Sequence, residues 1–309
     1  MTAPTPRVSI ITATFNRSNV LRLAIESARR STFRDWEMIV VGDACSDDSA
    51  ELVEGLGDRR VRFVNLERNF GEQSGPNNVG FKRSRAPVIA YLNHDDLWFP
   101  DHLELALGEL ERSGASLIFT AVAYALPAPE ADLLAGRLSF GLTGIASRGR
   151  YRPGVFAPAS CWLLRRELLE ELGGWRPAAQ CFVEPSQDLL FRAWRRRKPL
   201  RALPQLTVLA VQSGSRTGVY QRREEFENRF FAEQMEQDPF FREKVLRAAA
   251  LTGWFGLERP RFPRSWFLAA CRALRIDPRA VSYGLRYGRR GNYIRRLRRL
   301  RGLKATEPR

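Results

Sequence analysis

Residues 89–96 read Ile-Ala-Tyr-Leu-Asn-His-Asp-Asp, an apolar run that stops abruptly on polar side chains, two of them adjacent carboxylates. A short continuous apolar run is typical of a strand that is buried on both faces of a parallel sheet. Two neighbouring carboxylates repel each other unless a cation or water compensates their charge. This stretch therefore predicts a buried strand that delivers Asp95 and Asp96 to the rim of a sheet, where a cation and a ligand can reach them.

Strand and helix patterns alternate around this stretch. Segments between the apolar runs have helical spacing, and Ser18 is the expected N-cap of the first helix. The runs that predict strands are 7–15, 36–41, 61–65 and 87–92. Such alternation predicts an α/β protein with a mostly parallel sheet that has helices on both faces and right-handed connections.

Polar residues follow three of these strands, and they are the candidate ligand-binding groups. Asn16 and Arg17 follow the first strand, Asp43 the second, and residues 93–96 the fourth. Because ligands bind beyond the carboxyl ends of the strands in open α/β sheets, we expect these residues to share one crevice.

The pattern after residue 100 extends the sheet and then changes. It predicts helices at 101–112, 161–172 and 186–197, with Ser186 capping the last, strands at 115–126 and 200–212, and a loop with a small helix at 127–150. Beyond about residue 220 it predicts helices that are rich in arginine and aromatic residues. We therefore expect a sheet domain over residues 1–220 and a basic helical C-terminal extension over 221–309.

Composition limits the class of protein. The 309 residues are 44% hydrophobic, which supports a globular core. The four cysteines are far apart with no C-x-x-C spacing, so neither a disulfide framework nor a zinc site is predicted, and a cytoplasmic location fits best. Residues 1–7 carry no apolar signal core, and no transmembrane span is expected.

The net charge of +16 comes almost entirely from an excess of arginine. Arginine favours phosphate-rich partners, so nucleic acid, anionic lipid and nucleotide diphosphates are all admissible, although a GC-rich genome gives the same bias. Residues 289–301 place Ile294, Leu297 and Leu300 at helical intervals among arginines. This basic amphipathic helix predicts binding to an anionic membrane surface, or else a helix whose leucines pack on the protein. No nucleic-acid-binding motif is present.

Four motifs occur in a characteristic order: residues 8–17 (Val-Ser-Ile-Ile-Thr-Ala-Thr-Phe-Asn-Arg), 41–43 (Val-Gly-Asp), 91–96 (Tyr-Leu-Asn-His-Asp-Asp) and 187–188 (Gln-Asp). Together they resemble the inverting glycosyltransferases of family 2, over about residues 7–212. The resemblance implies a GT-A fold, with a nucleotide-sugar-binding half at about 1–100 and an acceptor half at about 101–220. It also implies a nucleotide-diphosphate sugar donor and Mn²⁺ or Mg²⁺.

The resemblance implies roles for the residues after the first two strands. Thr14, Phe15, Asn16 and Arg17 would belong to the nucleotide pocket. Asp43 would accept a hydrogen bond from the N–H of a base such as uracil or thymine, because an ionised carboxylate only accepts. The alternative for Asp43 is a helix cap or turn residue.

The same resemblance assigns Asp95 to the metal. Asp96 would brace the site or contact the donor sugar, and Asn93 would offer a neutral oxygen to the ribose or the metal. Asn93 stands where the family has an aspartate, which removes one negative charge from the site. His94 is a less favoured metal ligand, because its side chain should point away from that of Asp95.

Asp188 corresponds to the catalytic base of the family, which takes the acceptor hydroxyl proton during inversion. Family members usually have a glutamate just before this aspartate, whereas this chain has Gln187. Glu184, on the acceptor side, is the reserve candidate for the base. Trp175 is either an acceptor-facing aromatic or a core tryptophan. Arg216 is a candidate phosphate clamp, replacing a histidine that family members often carry after the last strand.

The expected function is metal-dependent, inverting transfer of a sugar from a UDP, dTDP or GDP donor to a hydroxyl acceptor. The acceptor would be a lipid-linked glycan in bacterial cell-surface polysaccharide or glycolipid assembly, with the enzyme peripheral on the inner membrane face. Two alternatives stay open: a catalytically silent protein that binds nucleotide sugars, and a protein that binds polyanions through its arginines. No Gly-rich phosphate loop follows the first strand, which disfavours a nucleotidyltransferase.

Overall fold

The structure is a computed structural model, and it describes residues 4–211, 217–252 and 264–303. Nine strands within these residues form one sheet, in the order β3-β2-β1-β4-β8-β6-β9-β5, with β7 paired to β6. The strands are β1 (Val8–Thr14), β2 (Trp36–Gly42), β3 (Val61–Asn65), β4 (Val88–Tyr91), β5 (Asp96–Trp98), β6 (Leu117–Ala125), β7 (Phe140–Thr143), β8 (Trp162–Arg165) and β9 (Leu200–Val211).

Helices cover this sheet and continue beyond it. They are α1 (Ser18–Arg29), α2 (Ser49–Gly55), α3 (Ser74–Arg83), α4 (His102–Ser113), α5 (Glu130–Leu134), α6 (Arg166–Leu172), α7 (Pro185–Arg195), α8 (Val219–Arg222), α9 (Phe226–Gln237), α10 (Phe241–Thr252), α11 (Arg264–Ala273), α12 (Pro278–Tyr287) and α13 (Asn292–Leu300). None of the described helices is both long and apolar enough to cross a lipid bilayer.

The first half of the sheet is parallel, as the sequence predicts. The chain runs outward from β1 to β2 and β3, and then returns to place β4 on the other side of β1. The carboxyl ends of β1 and β4 therefore lie at a point where the strand order reverses, which is where open α/β sheets bind ligands. β1 and β2 are buried almost throughout, as expected for strands whose sequences are mostly apolar.

The second half of the sheet is mixed rather than parallel. β8 pairs antiparallel with both β4 and β6, and β5 pairs antiparallel with β9. The helix predicted at 161–172 is wrong over its first part, because residues 162–165 form the central strand β8 and only 166–172 are helical. A short apolar run does not distinguish a buried strand from a buried helix. The predicted loop at 127–150 likewise contains strand β7.

Two predicted helix caps are wrong. α1 begins at Ser18, whose backbone N–H donates to the Asp47 carboxylate across the loop at 3.0 Å. α7 begins at Pro185, and Glu184 occupies the cap position in place of Ser186. In both cases the helix starts one or two residues before the sequence signal.

The helices after residue 220 pack on the sheet as well as on one another. Phe231 of α9 and Phe241 and Val245 of α10 are buried against the β6 and β7 side of the sheet in a second apolar cluster. The hydrogen bond from Asn228 to the Asp95 carbonyl, at 2.8 Å, ties α9 to the end of β4. This part of the expected extension is therefore in direct contact with the residues that follow β4.

Gly80 sets the distance between α3 and the sheet. A Cβ at this position would lie 2.5 Å from Cγ2 of Ile11 in β1. We predict that Gly80→Ala lowers the free energy of unfolding by about 1–3 kcal/mol, because α3 must move away from β1. Gly108 is the matched control, since it is exposed in the middle of α4 with open space around its Cα.

Urea denaturation of both variants measures the difference. Gly108→Ala should be neutral or stabilising by up to about 1 kcal/mol, because alanine restricts the unfolded chain. Equal stabilities of the two variants would show that α3 does not need its close approach to β1.

Candidate active site

A cavity of about 240 Å³ opens at the carboxyl edge of the parallel strands. Its walls come from the end of β1, the end of β2, the loop before α3, the segment after β4, the start of α7, and helices α8 and α13. The lining residues are Ala13, Thr14, Phe15, Asp43, Gly71, Glu72, Gln73, Pro76, Asn93, His94, Asp95, Glu184, Pro185, Tyr220, Ile294, Leu297, Arg298, Arg301 and Leu303.

Asp43 fixes the loop that covers the end of β2. Its two carboxylate oxygens accept hydrogen bonds from the backbone N–H groups of Phe70 and Gly71, at 2.7 and 2.8 Å. Burial raises the pKa of Asp43, while these two bonds and the charge of Arg298 act in the opposite direction. Asp43 is thus a loop-bracing residue that also lines the cavity, and each oxygen keeps a second lone pair for a ligand.

The two adjacent carboxylates after β4 have different surroundings. Asp95 lines the cavity, whereas Asp96 lies inside β5 and is almost fully buried. Asp96 accepts hydrogen bonds from the Asn93 amide, at 2.9 Å, and from the Ser160 hydroxyl. Burial, together with the Asp95 charge, raises the pKa of Asp96 to about 8. Asp96 therefore braces Asn93, and Asp95 is the carboxylate that faces a ligand.

His94 is held by the backbone of β1. Its Nδ1 lies 3.2 Å from the carbonyl oxygen of Ala13, which can only accept, so this nitrogen carries the proton. Burial lowers the pKa of His94, and the Asp95 charge opposes that shift. The imidazole packs edge-on against Tyr220, with ring centroids 6.2 Å apart.

Asn16 and Arg17 are not among the lining residues, contrary to prediction. Asn16 adopts a φ of 48°, a left-handed conformation that asparagine tolerates, and its side-chain oxygen accepts from the Ser46 N–H at 2.8 Å. Arg17 is completely buried behind Tyr220, with its guanidinium 5.4 Å from the ring centroid, and donates to the Glu224 carbonyl. Both residues position the loops that form the cavity walls.

Asp188 also lies outside the cavity lining, because its carboxylate is engaged by arginines. Arg192 Nε donates to it at 2.7 Å, and Arg176 lies 3.7 Å away. Glu184, four residues earlier, lines the cavity at the start of α7. Its Oε2 is buried and has no hydrogen-bond partner among the described residues. Glu184 thus lines the cavity, and Asp188 forms an ion pair with Arg192 beside it.

Trp175 is a core residue and not an acceptor-facing aromatic. Its side chain is only 2% exposed, and its Nε1 donates to the Tyr91 hydroxyl at 2.7 Å. Gln187 is similarly buried, and its amide donates to the Ala157 carbonyl at 2.9 Å. The departure from the family pattern at Gln187 therefore lies away from the cavity. Arg216 lies outside the described residues.

Helix α13 is part of the cavity wall, although no motif connects it with a ligand. Ile294 and Leu297, the apolar residues of the predicted membrane helix, line the cavity together with Arg298 and Arg301. Tyr220 also lines the cavity, and no motif indicated it. The amphipathic pattern of 289–301 leaves two partners open for this helix, an anionic membrane surface or the protein itself, and the structure places it against the protein.

The lining residues fit a divalent cation that arrives with its ligand. No group of three or more His, Cys, Asp or Glu side chains in the described parts of the chain could hold a metal ion. Mg²⁺ and related ions are commonly bound by one or two carboxylates plus substrate phosphates. Asp95, with the neutral oxygen of Asn93 beside it, supplies such a partial site.

Comparison with known proteins identifies the family. The sequence model described as glycosyl transferase family 2 matches residues 9–173. The chain belongs to glycosyl transferase family 2. This match covers every strand from β1 to β8 and ends just before Trp175.

Relatives of this family 2 chain include proteins of polysaccharide assembly. It is 34% identical over 112 residues to the succinoglycan biosynthesis protein ExoO of Rhizobium meliloti, covering 36% of this chain and 32% of ExoO. It is 28% identical over 112 residues to the UDP-Glc:alpha-D-GlcNAc-diphosphoundecaprenol beta-1,3-glucosyltransferase WfgD of Escherichia coli, covering 36% of this chain and 44% of WfgD. The chain spans less than half the length of these relatives.

Solved structures confirm the GT-A fold that the family resemblance implies. TarS 1-349 of S. aureus in complex with UDP-GlcNAc aligns with a TM-score of 0.54 and 15% identity over 92% of each chain. The mannosyltransferase PcManGT of Pyrobaculum calidifontis, in complex with GDP-Man and Mn²⁺, aligns with a TM-score of 0.53 and 14% identity over 98% of this chain and 89% of that one.

Proposed function

We propose that this protein transfers a sugar from a nucleotide-diphosphate sugar to a hydroxyl acceptor in the assembly of a bacterial cell-surface polysaccharide or glycolipid. The observation that carries the proposal is the cavity that gathers Thr14, Asp43, Asn93 and Asp95 from the ends of β1, β2 and β4 in a family 2 chain. The names of ExoO and WfgD support the polysaccharide and lipid-linked contexts.

The nucleotide would lie against the ends of β1 and β2. Thr14 lines the cavity, and its buried hydroxyl has no hydrogen-bond partner among the described residues, so a ligand can satisfy it. Asp43 can accept one further hydrogen bond from a base N–H while it holds the Phe70 and Gly71 amides. The neighbours bound to UDP-GlcNAc and GDP-Man support a uridine or guanosine diphosphate donor.

Asp95, with Asn93 beside it, would hold Mn²⁺ or Mg²⁺. When bound, the cation neutralises charge that develops on the leaving diphosphate. The Mn²⁺ in the PcManGT complex supports this assignment. Asp96 keeps Asn93 in place through its hydrogen bond, and Ser160 donates to the same carboxylate.

Glu184 would act as the catalytic base. In an inverting displacement, the acceptor oxygen bonds to the anomeric carbon, the bond from that carbon to the diphosphate breaks, and one base receives the acceptor proton. Glu184 lines the cavity and its carboxylate is near the Tyr293 hydroxyl, with its Oε2 lacking a hydrogen-bond partner among the described residues, whereas the carboxylate of Asp188 is paired with Arg192. The helix dipole of α7 favours an ionised carboxylate at its start.

Titration calorimetry with UDP, GDP, dTDP and CDP tests the proposed function. We expect one nucleotide to bind the wild type at least about tenfold more tightly with Mn²⁺ than without it, because Asp95 would hold a cation that compensates the charge of the diphosphate. Asp95→Ala should abolish the gain from Mn²⁺, while Glu54→Ala, at an exposed position on α2, should retain it. If none of these nucleotides binds with any metal, the proposal is wrong.

Turnover separates the two candidate bases. The rate at which nucleoside diphosphate is released from the donor sugar should fall by at least about 100-fold in Glu184→Gln, because this variant lacks the general base. Its nucleotide affinity should be unchanged. Asp188→Asn should keep its turnover within about tenfold, since Asp188 acts only through its ion pair. A folded Asp188→Asn variant that is inactive, beside an active Glu184→Gln, would restore Asp188 as the base. Tight binding without turnover in the wild type would identify a catalytically silent protein.

The proposed acceptor is lipid-linked, and α11 and α12 form the surface best suited to an anionic bilayer. Trp266, Leu274 and Leu285 are 68%, 70% and 86% exposed on these helices and the turn between them. Residues 264–287, which contain both helices, carry five arginines and one aspartate, a net charge of +4. Exposed apolar side chains among arginines are typical of proteins that bind the interface of anionic membranes.

Sedimentation with phosphatidylglycerol vesicles checks this surface. We expect the wild type to bind them, and Trp266→Ser combined with Leu285→Ser to weaken binding by about tenfold or more, because both side chains lose their apolar contact. Leu134→Ser is the control, since Leu134 is similarly exposed on α5. Vesicle binding that is unchanged in the double variant, or absent in the wild type, would contradict the assignment.

A further inference from the structure

Helix α13 forms one wall of the candidate donor cavity. Three residues of the helix line the cavity, Ile294, Leu297 and Arg298, and so does Arg301 directly after it. Leu303 follows them along the same wall. An element almost 300 residues into the chain thus faces the strand ends that carry Thr14 and Asp43.

Contacts along its length fix α13 in this position. At its start, the Gly291 N–H donates to the Cys181 carbonyl at 2.8 Å, and a Cβ on Gly291 would lie 3.2 Å from Ala179 Cα. At its end, the Gly218 N–H donates to the Leu300 carbonyl at 2.9 Å. In the middle, the Arg298 guanidinium donates to the Gly71 carbonyl. The helix therefore bridges the loops before α7, α8 and α3.

The charges around the cavity point to the role of α13. Four carboxylates line it, those of Asp43, Glu72, Asp95 and Glu184, and burial raises the pKa of Asp43 and Glu72. Among the described lining residues, the arginine and lysine side chains are Arg298 and Arg301, both from the α13 segment. A diphosphate adds further negative charge to this enclosed space, so its oxygens need cationic partners.

Arg298 is built into the site rather than solvated. It is 7% exposed, and burial lowers its pKa, while the Asp43 charge opposes that shift. A guanidinium has five N–H donors in a fixed fork, so its bond to Gly71 is compatible with bidentate contact to phosphate oxygens. Burial strengthens such a contact, because the competing water is excluded.

We propose that Arg298 and Arg301 bind the diphosphate of the donor, so that α13 completes the nucleotide site. This inference rests on the proposed function, because it takes the ligand to be a nucleotide-diphosphate sugar. The two arginines would hold the leaving group from the side opposite the strand ends, adding to the cation at Asp95. Asp95 and Asn93 carry no positive charge and can provide it only by binding a metal ion. The C-terminal arginines of this chain would supply positive charge directly.

The test compares ligands with and without the diphosphate. Calorimetry would measure binding of the nucleoside diphosphate that the wild type prefers and of the matching nucleoside, in Mn²⁺. We expect Arg298→Gln and Arg301→Gln each to weaken diphosphate binding by about 10- to 100-fold, because each removes a charge-assisted contact. Nucleoside affinity should stay unchanged in Arg301→Gln and fall less than diphosphate affinity in Arg298→Gln, and Arg301→Lys should recover part of the loss. Arg299→Gln, exposed on the same helix, is the matched control.

Each outcome separates this inference from the proposed function. Equal losses for the nucleoside and its diphosphate would show that the arginines only support the fold, and they would overturn the inference. If Arg301→Gln binds the diphosphate with wild-type affinity, Arg301 does not contact the diphosphate. This result counts even if Arg298→Gln does not fold. In both cases the proposed function stands, whereas failure of the wild type to bind any nucleoside diphosphate removes both.

Discussion

One residue, Gly71, connects the strand ends to the C-terminal helix through its two flanking peptide groups. Its N–H donates to the Asp43 carboxylate at 2.8 Å, and the carbonyl of the same residue accepts from the Arg298 guanidinium. The loop before α3 is therefore held between a carboxylate at the end of β2 and a cation on α13. Both charged groups are largely buried, so loss of either would leave the other poorly compensated, at a cost of several kcal/mol. The cavity wall, the position of α13 and the charge facing a ligand all depend on this connection.

The two adjacent carboxylates after β4 illustrate how the fold resolves a local conflict. Asp96 is the first residue of β5 and is buried there, whereas Asp95 belongs to the turn before β5 and lines the cavity. The raised pKa of Asp96 reduces its charge, and its hydrogen bonds to Asn93 and Ser160 turn it into a brace. Repulsion between the two residues is thereby limited, and Asp95 is the one of the two that lines the cavity.

The sequence predicts the parallel half of the sheet well, because buried strands there have continuous apolar runs that end on polar residues. Asp43, Asn93 and Asp95 meet at one cavity for this reason. The sequence predicts helix where strand β8 lies, because a short apolar run fits both. The sequence favours Asp188 over Glu184 through its family motif, and the structure adds that Asp188 pairs with Arg192 one turn later on α7 while Glu184 lines the cavity. The membrane interpretation of 289–301 was drawn from an amphipathic pattern that is the same whether its apolar face meets lipid or protein. The local sequence alone does not distinguish a lipid partner from a protein partner.

Hydrogen exchange measured by mass spectrometry tests most directly whether the C-terminal helix and the strand ends form one nucleotide site. The comparison is between the free protein and the protein saturated with its preferred nucleoside diphosphate and Mn²⁺. Slower exchange is expected together in the peptides that contain Thr14, Gly71 and α13, because one ligand would contact all three walls. Protection of the first two peptides with unchanged exchange in α13 would contradict a role for the helix. The absence of protection at all three would contradict the site itself.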